Sequence, residues 1–360
     1  MTKKILVVDD SALMRRVLCD IIDSDDQFEV KDRATNGLEA FDLLSRNTYD
    51  AVVLDVNMPK MNGLQLLGEL RKYKIKARVM MASTDTKEGA RTTLDALELG
   101  ALDFVHKPDN AFQCREGIFQ ENFLRTLKGV SESNYPVFTS AEKLEDDKKK
   151  NVKVLEILKK STHKVVGSKV VAIASSTGGP KALQAVIPRL PGDLDAPVLV
   201  VQHMPKGFTA SLAERLNNLS EIKVVEAAEG MELEKGTVYI APGGLHLNVV
   251  TSLAGKYSIH LSDEPSREGV KPCANYMYES LMESRFDKIV CVVMTGMGAD
   301  GTEGIRRLKE KKPIHVISQD QASCTVYGMP KSVYAEGLSN QVVTLDDIAQ
   351  EISLNVGVSN

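Results

Sequence analysis

The sequence lacks a strong charge imbalance and a long apolar run. Its 360 residues carry a formal net charge of −4, and nothing in this bulk charge favours binding to nucleic acid. No stretch approaches the roughly 20 apolar residues that a membrane-spanning helix needs. The first apolar segment, residues 5–8, ends at Asp9 and Asp10 and is too short for a secretory signal. We therefore expect a cytoplasmic protein with neither a nucleic-acid partner nor membrane insertion.

Paired cysteines are missing as well. The cysteines are odd in number and show no C-x-x-C spacing: Cys19, Cys114, Cys273, Cys291 and Cys324. This pattern predicts reduced thiols rather than a disulfide framework. The length of the chain predicts two domains, each large enough to bury its own core.

Strands and helices alternate through the first part of the chain. Apolar runs predict parallel strands, and amphipathic helices are expected between them, the first of them capped by Ser11. The strand runs are residues 5–8, 28–30, 51–54, 78–82 and 104–106. Such alternation predicts a doubly wound α/β sheet with its functional residues at the carboxyl ends of the strands.

Polar residues stand at these strand ends: Asp9, Asp10, Asp55, Ser83 and Lys107. Three converging carboxylates repel one another unless a cation neutralises them, and hard oxygen ligands suit Mg²⁺. A lysine and a hydroxyl at the same edge can contact a carboxylate or a phosphoryl oxygen. A helix cap or a solvated turn explains each acid alone, but not the complete set.

This constellation resembles the receiver domain of bacterial response regulators over about residues 1–125. Residues 55–63, DVNMPKMNG, and the pair Lys107-Pro108 match the family closely. The resemblance implies a flavodoxin-like fold in which Asp55 accepts a phosphoryl group. It also implies that Asp9, Asp10 and Asp55 bind Mg²⁺.

The same resemblance assigns the residues of the receiver switch. Ser83 falls at the switch hydroxyl and Phe104 at the switch aromatic, and Lys107 completes the set. Thr84 is an alternative to Ser83, because the register of this strand is uncertain by one residue.

Residues 126–167 differ in composition from the segments on either side. A dense charge run, residues 142–153, contains few bulky side chains, and such segments repel themselves and extend. Acidic neighbours balance its lysines, so a solvated linker explains the run better than a nucleic-acid site does. We expect a charged linker that joins the receiver to a domain at residues 168–360.

A second set of strands begins with the buried run at residues 170–174. Two serines, Thr177 and two glycines follow, and then a helix is expected to begin near Pro180. Ser176 is therefore predicted on a strand-to-helix turn, where the N–H groups of Thr177 and Gly178 could hold an oxyanion. A phosphate-binding loop or a plain turn would explain the same residues, and a nucleophile is the less frequent interpretation.

Two more polar residues follow later strands of this part. His203 comes after the run at 198–201 and Asp300 after the run at 289–294, so a parallel sheet would place both on the edge that carries Ser176. A serine, an imidazole and a carboxylate are the groups of an acyl hydrolase. A histidine after a strand is more often structural, Asp300 could cap the next helix, and His246 is an alternative base.

Four stretches of the third part resemble the chemotaxis protein-glutamate methylesterases of the CheB family: residues 176–179, 202–205, 241–244 and 295–301. With the receiver and the linker, the resemblance extends over essentially the whole chain. It implies a Rossmann-like hydrolase with Ser176 as nucleophile, His203 as base and Asp300 as orienting acid. It further implies an oxyanion hole made by the backbone N–H groups of Thr177 and Met297.

One departure from the family is local. The family commonly has Gly-Ala where this chain has Ala174-Ser175. Ser175 therefore stays an alternative nucleophile, although the Thr-Gly-Gly that directly follows Ser176 favours Ser176.

The resemblance also implies an activity and its partners. Such enzymes hydrolyse glutamate γ-methyl esters on chemoreceptors, release methanol and deamidate receptor glutamines. A chemotaxis histidine kinase would phosphorylate the receiver, and the unphosphorylated receiver would inhibit the hydrolase. The esterase itself would need no cofactor. A DNA-binding regulator and a nucleotide-binding module are the alternatives, but no P-loop Gly-Lys-Ser/Thr follows Gly179.

Overall fold

A computed structural model describes residues 2–84, 87–108, 117–134, 166–252 and 255–359. The chain divides into two compact units, residues 1–138 and 139–360. Within the described ranges, no helix combines the length and the apolar character that crossing a bilayer requires.

The first unit is built on five parallel strands. They are β1 (Lys3–Val8), β2 (Phe28–Ala34), β3 (Ala51–Asp55), β4 (Val79–Thr84) and β5 (Asp103–Lys107). Their order in the sheet is β2-β1-β3-β4-β5, and every neighbouring pair is parallel. This order is the flavodoxin-like one, in which the strand sequence reverses beside β1 and opens a crevice at the carboxyl ends of β1 and β3.

Helices connect and cover these strands: α1 (Ala12–Ile22), α2 (Gly37–Arg46), α3 (Gly63–Lys72), α4 (Lys87–Leu99) and α5 (Gly117–Glu132). Ser11 caps α1 by accepting a hydrogen bond from the N–H of Met14, as the sequence predicts. The last helix extends past residue 125, where the receiver was expected to end. Phe123, Leu127 and Val130 are fully buried along one face of α5, so the core of the first unit includes this final stretch.

The second unit is built on a larger sheet. Its strands are β6 (Lys169–Ser175), β7 (Val198–Gln202), β8 (Lys223–Glu226), β9 (Thr237–Ile240), β12 (Lys288–Val293), β13 (Ile314–Gln319) and β14 (Gln341–Val343). They lie in the order β14-β13-β12-β6-β7-β9-β8, and all neighbouring pairs are parallel. β6 comes first in the chain but lies at the centre of the sheet, between β7 and β12.

An antiparallel hairpin lies outside the seven-stranded sheet. It pairs β10 (His246–Thr251) with β11 (Tyr257–Ser262), where the sequence analysis expected only parallel strands. The helices of this unit are α6 (Gly179–Val186), α7 (Phe208–Leu219), α8 (Ala274–Ser280), α9 (Thr302–Lys311), α10 (Met329–Ala335) and α11 (Ile348–Val356). Of these, α8 packs against both α9 and β10, next to the edge of the sheet that carries the candidate site.

Candidate functional site

Three neighbouring strands carry Ser176, His203 and Asp300 to one edge of the larger sheet. Ser176 directly follows β6, His203 directly follows β7, and Asp300 lies beyond the end of β12. The backbone pairing continues past the strand ends, because the N–H of Ser176 donates to the carbonyl of Thr295 at 3.0 Å. On the other side, the N–H of His203 donates to the carbonyl of Ser175 at 3.1 Å. Ser176 is thus fixed between the two segments that carry the other polar residues.

Close backbone approach at Ser176 requires glycine on two sides. Gly178, the residue before α6, has a φ of +76°, a conformation that favours glycine. A Cβ added to Gly296 would lie 2.8 Å from the Cβ of Ser176 and 2.4 Å from the sulfur of Met329. The turn after β12 can therefore reach the serine only without a side chain at position 296.

His203 and Asp300 form a hydrogen-bonded pair. The distance from His203 Nε2 to Asp300 Oδ2 is 2.7 Å, and their side chains are 9% and 3% exposed. The partner of Nε2 is a carboxylate, so this nitrogen carries the proton and Nδ1 has the free lone pair. Nδ1 is then the atom available to accept a proton from a nucleophile.

The Asp300 carboxylate has three further donors. It accepts hydrogen bonds from the N–H of Ala274 at 2.6 Å, the N–H of Asn275 at 3.0 Å and the thiol of Cys273 at 3.0 Å. Burial alone would raise the pKa of Asp300, but the hydrogen bond and charge of His203, followed by the other donors, hold its pKa below the ordinary value. Asp300 is therefore an ionised carboxylate in a buried position.

Ser176 lies beside this pair without being bonded to it. Its side chain is partly exposed, and within the described residues no hydrogen bond joins its hydroxyl to His203. Such bonds are often long before substrate binds. The structure thus brings His203 and Asp300 into contact and places Ser176 at the neighbouring strand end.

The alternative nucleophile is fully buried. Ser175 has no exposed surface, and its hydroxyl donates to Gln202 Oε1 at 2.7 Å. The amide nitrogen of Gln202 in turn binds the carbonyls of Ser176 and His203 at 3.0 and 3.1 Å. Ser175 and Gln202 therefore stabilise the turn from the interior, whereas Ser176 is partly exposed.

The alternative base is buried as well. His246 has no exposed surface. Its Nδ1 accepts a hydrogen bond from the N–H of Cys273 at 3.1 Å, and its Nε2 faces the carbonyl of Pro265 at 3.3 Å. Burial lowers the pKa of His246, so the ring is a neutral structural group with both nitrogens occupied.

The N–H groups of Thr177 and Met297 belong to two segments that are tied together. The hydroxyl of Thr295 donates to the carbonyl of Thr177 at 2.9 Å and accepts from the N–H of Val326 at 3.0 Å. In the part of the chain that the structure describes, neither the N–H of Thr177 nor that of Met297 has a hydrogen-bond acceptor. Two free donors on braced turns are what an oxyanion site requires.

Sequence reasoning missed the residues that hold Asp300 in place. Cys273, Ala274 and Asn275 come from the start of α8, a short helix with too few turns to show a helical pattern. The available signal was a polar residue, Asn275, inside an otherwise apolar stretch after Pro272. Nothing in its spacing points to Asp300.

The first unit collects acidic residues at its own sheet edge. Carboxylate oxygens of Asp9, Asp10 and Asp55 all lie within 4.8 Å of one another, with Asp9 and Asp55 buried and Asp10 exposed. Lys107 Nζ lies 3.1 Å from Asp9 Oδ2 and 2.5 Å from Asp55 Oδ1. Three hard oxygen donors with one open side fit Mg²⁺, which keeps several of its waters.

Burial and charge act against each other among these side chains. Burial raises the pKa of Asp55, and the lysine lowers it only in part. Burial alone would lower the pKa of Lys107, but the carboxylates of Asp55 and Asp9 raise it. The ammonium group therefore stays charged, and it partly neutralises a site that still has an excess of negative charge.

The predicted switch residues Ser83 and Phe104 are both buried. Ser83 and Phe104 are 1% and 7% exposed, and Ala82, which precedes Ser83, pairs with Asp55 across β3 and β4. The side chain of the alternative, Thr84, lies outside the described residues.

Comparison with known proteins relates both units of the chain to known families. Residues 171–352 match the family model of the CheB methylesterase, and residues 5–117 match that of the response regulator receiver domain. A protein-glutamate methylesterase/protein-glutamine glutaminase of Syntrophomonas wolfei is 41% identical over 355 residues, which cover 97% of this chain and 98% of the relative. The chain belongs to the CheB methylesterase family. Membership confirms the family, the fold class and the class of enzyme that the sequence predicts.

Two further CheB relatives support the assignment. A protein-glutamate methylesterase/protein-glutamine glutaminase of Pyrococcus horikoshii is 41% identical over 351 residues, or 97% of this chain and 92% of the relative. The crystal structure of the Thermotoga maritima CheB methylesterase catalytic domain is 42% identical, with a TM-score of 0.50. The match covers 52% of this chain and 98% of the chain in that crystal structure.

Proposed function

We propose that the chain is a phosphorylation-controlled protein-glutamate methylesterase and protein-glutamine glutaminase of bacterial chemotaxis, acting on receptors from the cytoplasm. The observation that carries the proposal is the buried His203–Asp300 pair, 2.7 Å between Nε2 and Oδ2, beside Ser176. The relatives' names supply the two activities. The receptor substrates follow from the CheB resemblance.

The proposed reaction begins with the Ser176 hydroxyl. His203 Nδ1 takes its proton while Oγ bonds to the γ-carbonyl carbon of a methylated glutamate. The N–H groups of Thr177 and Met297 stabilise the negative oxygen of the tetrahedral intermediate. The intermediate collapses as the imidazolium returns the proton to the departing methoxide, and methanol leaves. Asp300 stays ionised and stabilises the imidazolium throughout.

Water then completes the cycle. His203 takes a proton from water, hydroxide bonds to the acyl carbon, and the bond to Ser176 Oγ breaks as the serine recovers its proton. The product is a glutamate carboxylate. A glutamine substrate follows the same path with ammonia as the leaving group, so both activities use one nucleophile.

In the receiver, Asp55 is the proposed phosphoacceptor, and a chemotaxis histidine kinase is the proposed phosphodonor. Asp9, Asp10 and Asp55 would hold Mg²⁺, which neutralises phosphoryl and carboxylate charge when bound. Lys107 can contact the phosphoryl oxygens from its place between Asp9 and Asp55. Rearrangement of Ser83 and Phe104 would then release the hydrolase from inhibition by the receiver.

The sequence places the receiver at residues 1–125 and the linker at residues 126–167. Because α5 continues to Glu132, we propose that the receiver extends to that residue and that the linker begins after it. The linker's residues 135–165 lie outside the described ranges. A catalytic domain at residues 168–360 completes the chain. That the esterase works without a cofactor remains a prediction.

The test is methanol release from methylated receptor membranes, with and without a small phosphodonor such as acetyl phosphate. Release by the intact chain should rise with the phosphodonor. It should fall by about 10³-fold or more in Ser176→Ala, and the phosphodonor should have no effect on Asp55→Asn. Ser175→Ala is the matched control and should keep most of the activity. Release that survives Ser176→Ala but not Ser175→Ala would refute the assignment of the nucleophile.

A further inference from the structure

Asn275 connects the candidate triad to a carboxylate outside it. The residue is fully buried at the start of α8. Its backbone N–H donates to Asp300 Oδ1 at 3.0 Å. Its side-chain oxygen accepts from the N–H groups of Gly301 and Gly304 at 3.1 and 2.6 Å. Its side-chain nitrogen donates to Glu268 Oε1 at 2.9 Å.

These bonds hold Asp300 from two directions. The main chain of Asn275 holds the carboxylate, while its side chain holds the backbone that directly follows Asp300. Gly301 precedes α9 with a φ of +95°, and no side chain of its own segment caps the helix. The side-chain oxygen of Asn275, which belongs to α8, caps α9 instead. Aspartate could accept the same two bonds, but only the amide of asparagine can also donate to Glu268.

Glu268 reaches Asn275 from an unusual backbone conformation. Its φ is +54°, in the left-handed region that favours glycine. The residue as a whole is exposed, yet its carboxylate binds a fully buried amide. The hydrogen bond from Asn275 is one interaction that holds the side chain at this place.

The charges that act on Glu268 include those of Asp300 and His203 from the candidate triad and that of the adjacent Arg267. Partial burial of the carboxyl and the charge of Asp300 raise the pKa of Glu268, while the bond from Asn275, the adjacent Arg267 and His203 lower it. Ionisation of Glu268 is therefore coupled to the Asp300–His203 pair. A negative charge there stabilises the positive charge that would form on the imidazole during the reaction.

We propose that Asn275 is a positioning residue of the esterase site, and that Glu268, hydrogen-bonded to its amide, tunes the reaction through its charge. The inference rests on the proposed function. It adds a second carboxylate, on the far side of Asn275, whose charge reaches the triad.

The decisive variant is Glu268→Gln, because glutamine keeps an oxygen that accepts the bond from Asn275 but removes the charge. The acid limb of the pH profile of kcat/KM should move to lower pH by about 0.5 units, an effect of one charge at intermediate distance. The plateau of kcat above that limb should not change. Glu283→Gln, which neutralises an exposed carboxylate beyond the end of α8, is the control and should leave the profile unchanged.

Two variants test the positioning role. Asn275→Ala removes both acceptor bonds and the donor, so kcat should fall by up to ~10²-fold with a smaller change in KM. Asn275→Asp keeps the acceptor but places a negative charge beside Asp300 and Glu268, so the acid limb should move to higher pH. Circular dichroism of each full-length variant identifies any loss of fold.

Each outcome decides one part of the proposal. A Glu268→Gln profile that superimposes on wild type, or that moves equally in Glu283→Gln, would overturn the electrostatic role. Wild-type kcat in folded Asn275→Ala would overturn the positioning role. If Asn275→Ala does not fold, wild-type kcat in folded Asn275→Asp, which lacks the donor to Glu268, overturns that role instead. Ser176→Ala runs in the same assay: activity that persists there refutes the proposed function itself, which a failure at Asn275 or Glu268 alone does not.

Discussion

At the scale of single residues, the second unit keeps a negative charge in its interior. Asp300 is 2% exposed. Its carboxylate stays ionised because His203, Cys273 and the N–H groups of residues 274 and 275 hydrogen-bond to its oxygens. A buried charge of this kind is stabilising only while its donors are present. The same arrangement that fixes the imidazole therefore links the fold to pH.

The pH dependence has a definite sign. The pKa of Asp300 is lowered in the folded state, so its contribution to stability is present above the pKa of the unfolded chain, about 3.9. That contribution is lost as the pH falls through the folded-state value. Urea unfolding of the second unit should show a smaller acid-induced loss of stability in Asp300→Asn than in wild type. Equal losses between pH 6 and pH 3 would contradict the assignment.

Cys273 acts as a hydrogen-bond donor rather than as a reactive thiol. Burial and the charge of Asp300 raise the pKa of Cys273 well above its ordinary value, so the thiol stays protonated. Cys273→Ser keeps a donor and should retain most of kcat, whereas Cys273→Ala should lower kcat about 5-fold, the effect of one hydrogen bond. Methanol release distinguishes the two variants. Equal activities of Ser and Ala at position 273 would remove the thiol from the network.

At the scale of elements, the central strand of the second unit is anchored through a buried lysine. Lys169, the first residue of β6, is 2% exposed. Its ammonium group donates to the carboxylate of Asp195 and, at 2.9 Å, to the carbonyl of Val356 at the end of α11. Asp195 also pairs with Lys235. The ammonium group of Lys169 thus connects β6, the loop before β7 and the last helix.

Removing the buried cation should destabilise the second unit. Lys169→Met leaves Asp195 and the Val356 carbonyl without their buried partner, so the free energy of unfolding should fall by about 3 kcal/mol. Lys235→Met is the matched control, because Lys235 pairs with the same carboxylate from a side chain that is 59% exposed. It should change stability by at most about 1 kcal/mol. Chemical denaturation of both variants measures the difference, and equal losses would contradict a special role for Lys169.

The elements also divide into those that sequence can predict and those that it cannot. The parallel strands are continuous buried runs such as residues 170–174. Asp55 directly follows such a run, and Ser176 and His203 each follow one after a single intervening residue. The hairpin of β10 and β11 was missed because polar residues such as Asn248 and His260 interrupt its strands. The helix α8 was missed because its seven residues make too few turns to show a helical pattern. Which nitrogen of His203 faces Asp300 depends on packing that no spacing encodes.

At the scale of the whole molecule, the two units have separate cores and separate sites. A receiver that changes on phosphorylation can control the hydrolase only through a difference in free energy between the two states of the chain. A chain lacking residues 1–165 should therefore release methanol faster than the intact unphosphorylated chain. Coupling energies of about 1–3 kcal/mol correspond to about 5- to 150-fold.

The truncated chain is a reasonable test object, because the catalytic domain of the Thermotoga maritima relative has been crystallised and 98% of that chain is matched. Initial rates with and without a phosphodonor should differ for the intact chain and coincide for the truncated one. A truncated chain no faster than the intact unphosphorylated chain would refute inhibition by the receiver.

The buried Lys169 has a consequence for folding during synthesis of the chain. β6 is the first strand of the second unit to be synthesised, yet Lys169 finds its carbonyl acceptor 187 residues later, at Val356. Until the ribosome has added that residue, the growing sheet would enclose a cation without its full set of partners. We therefore expect the second unit to complete its fold only after α11 has been synthesised.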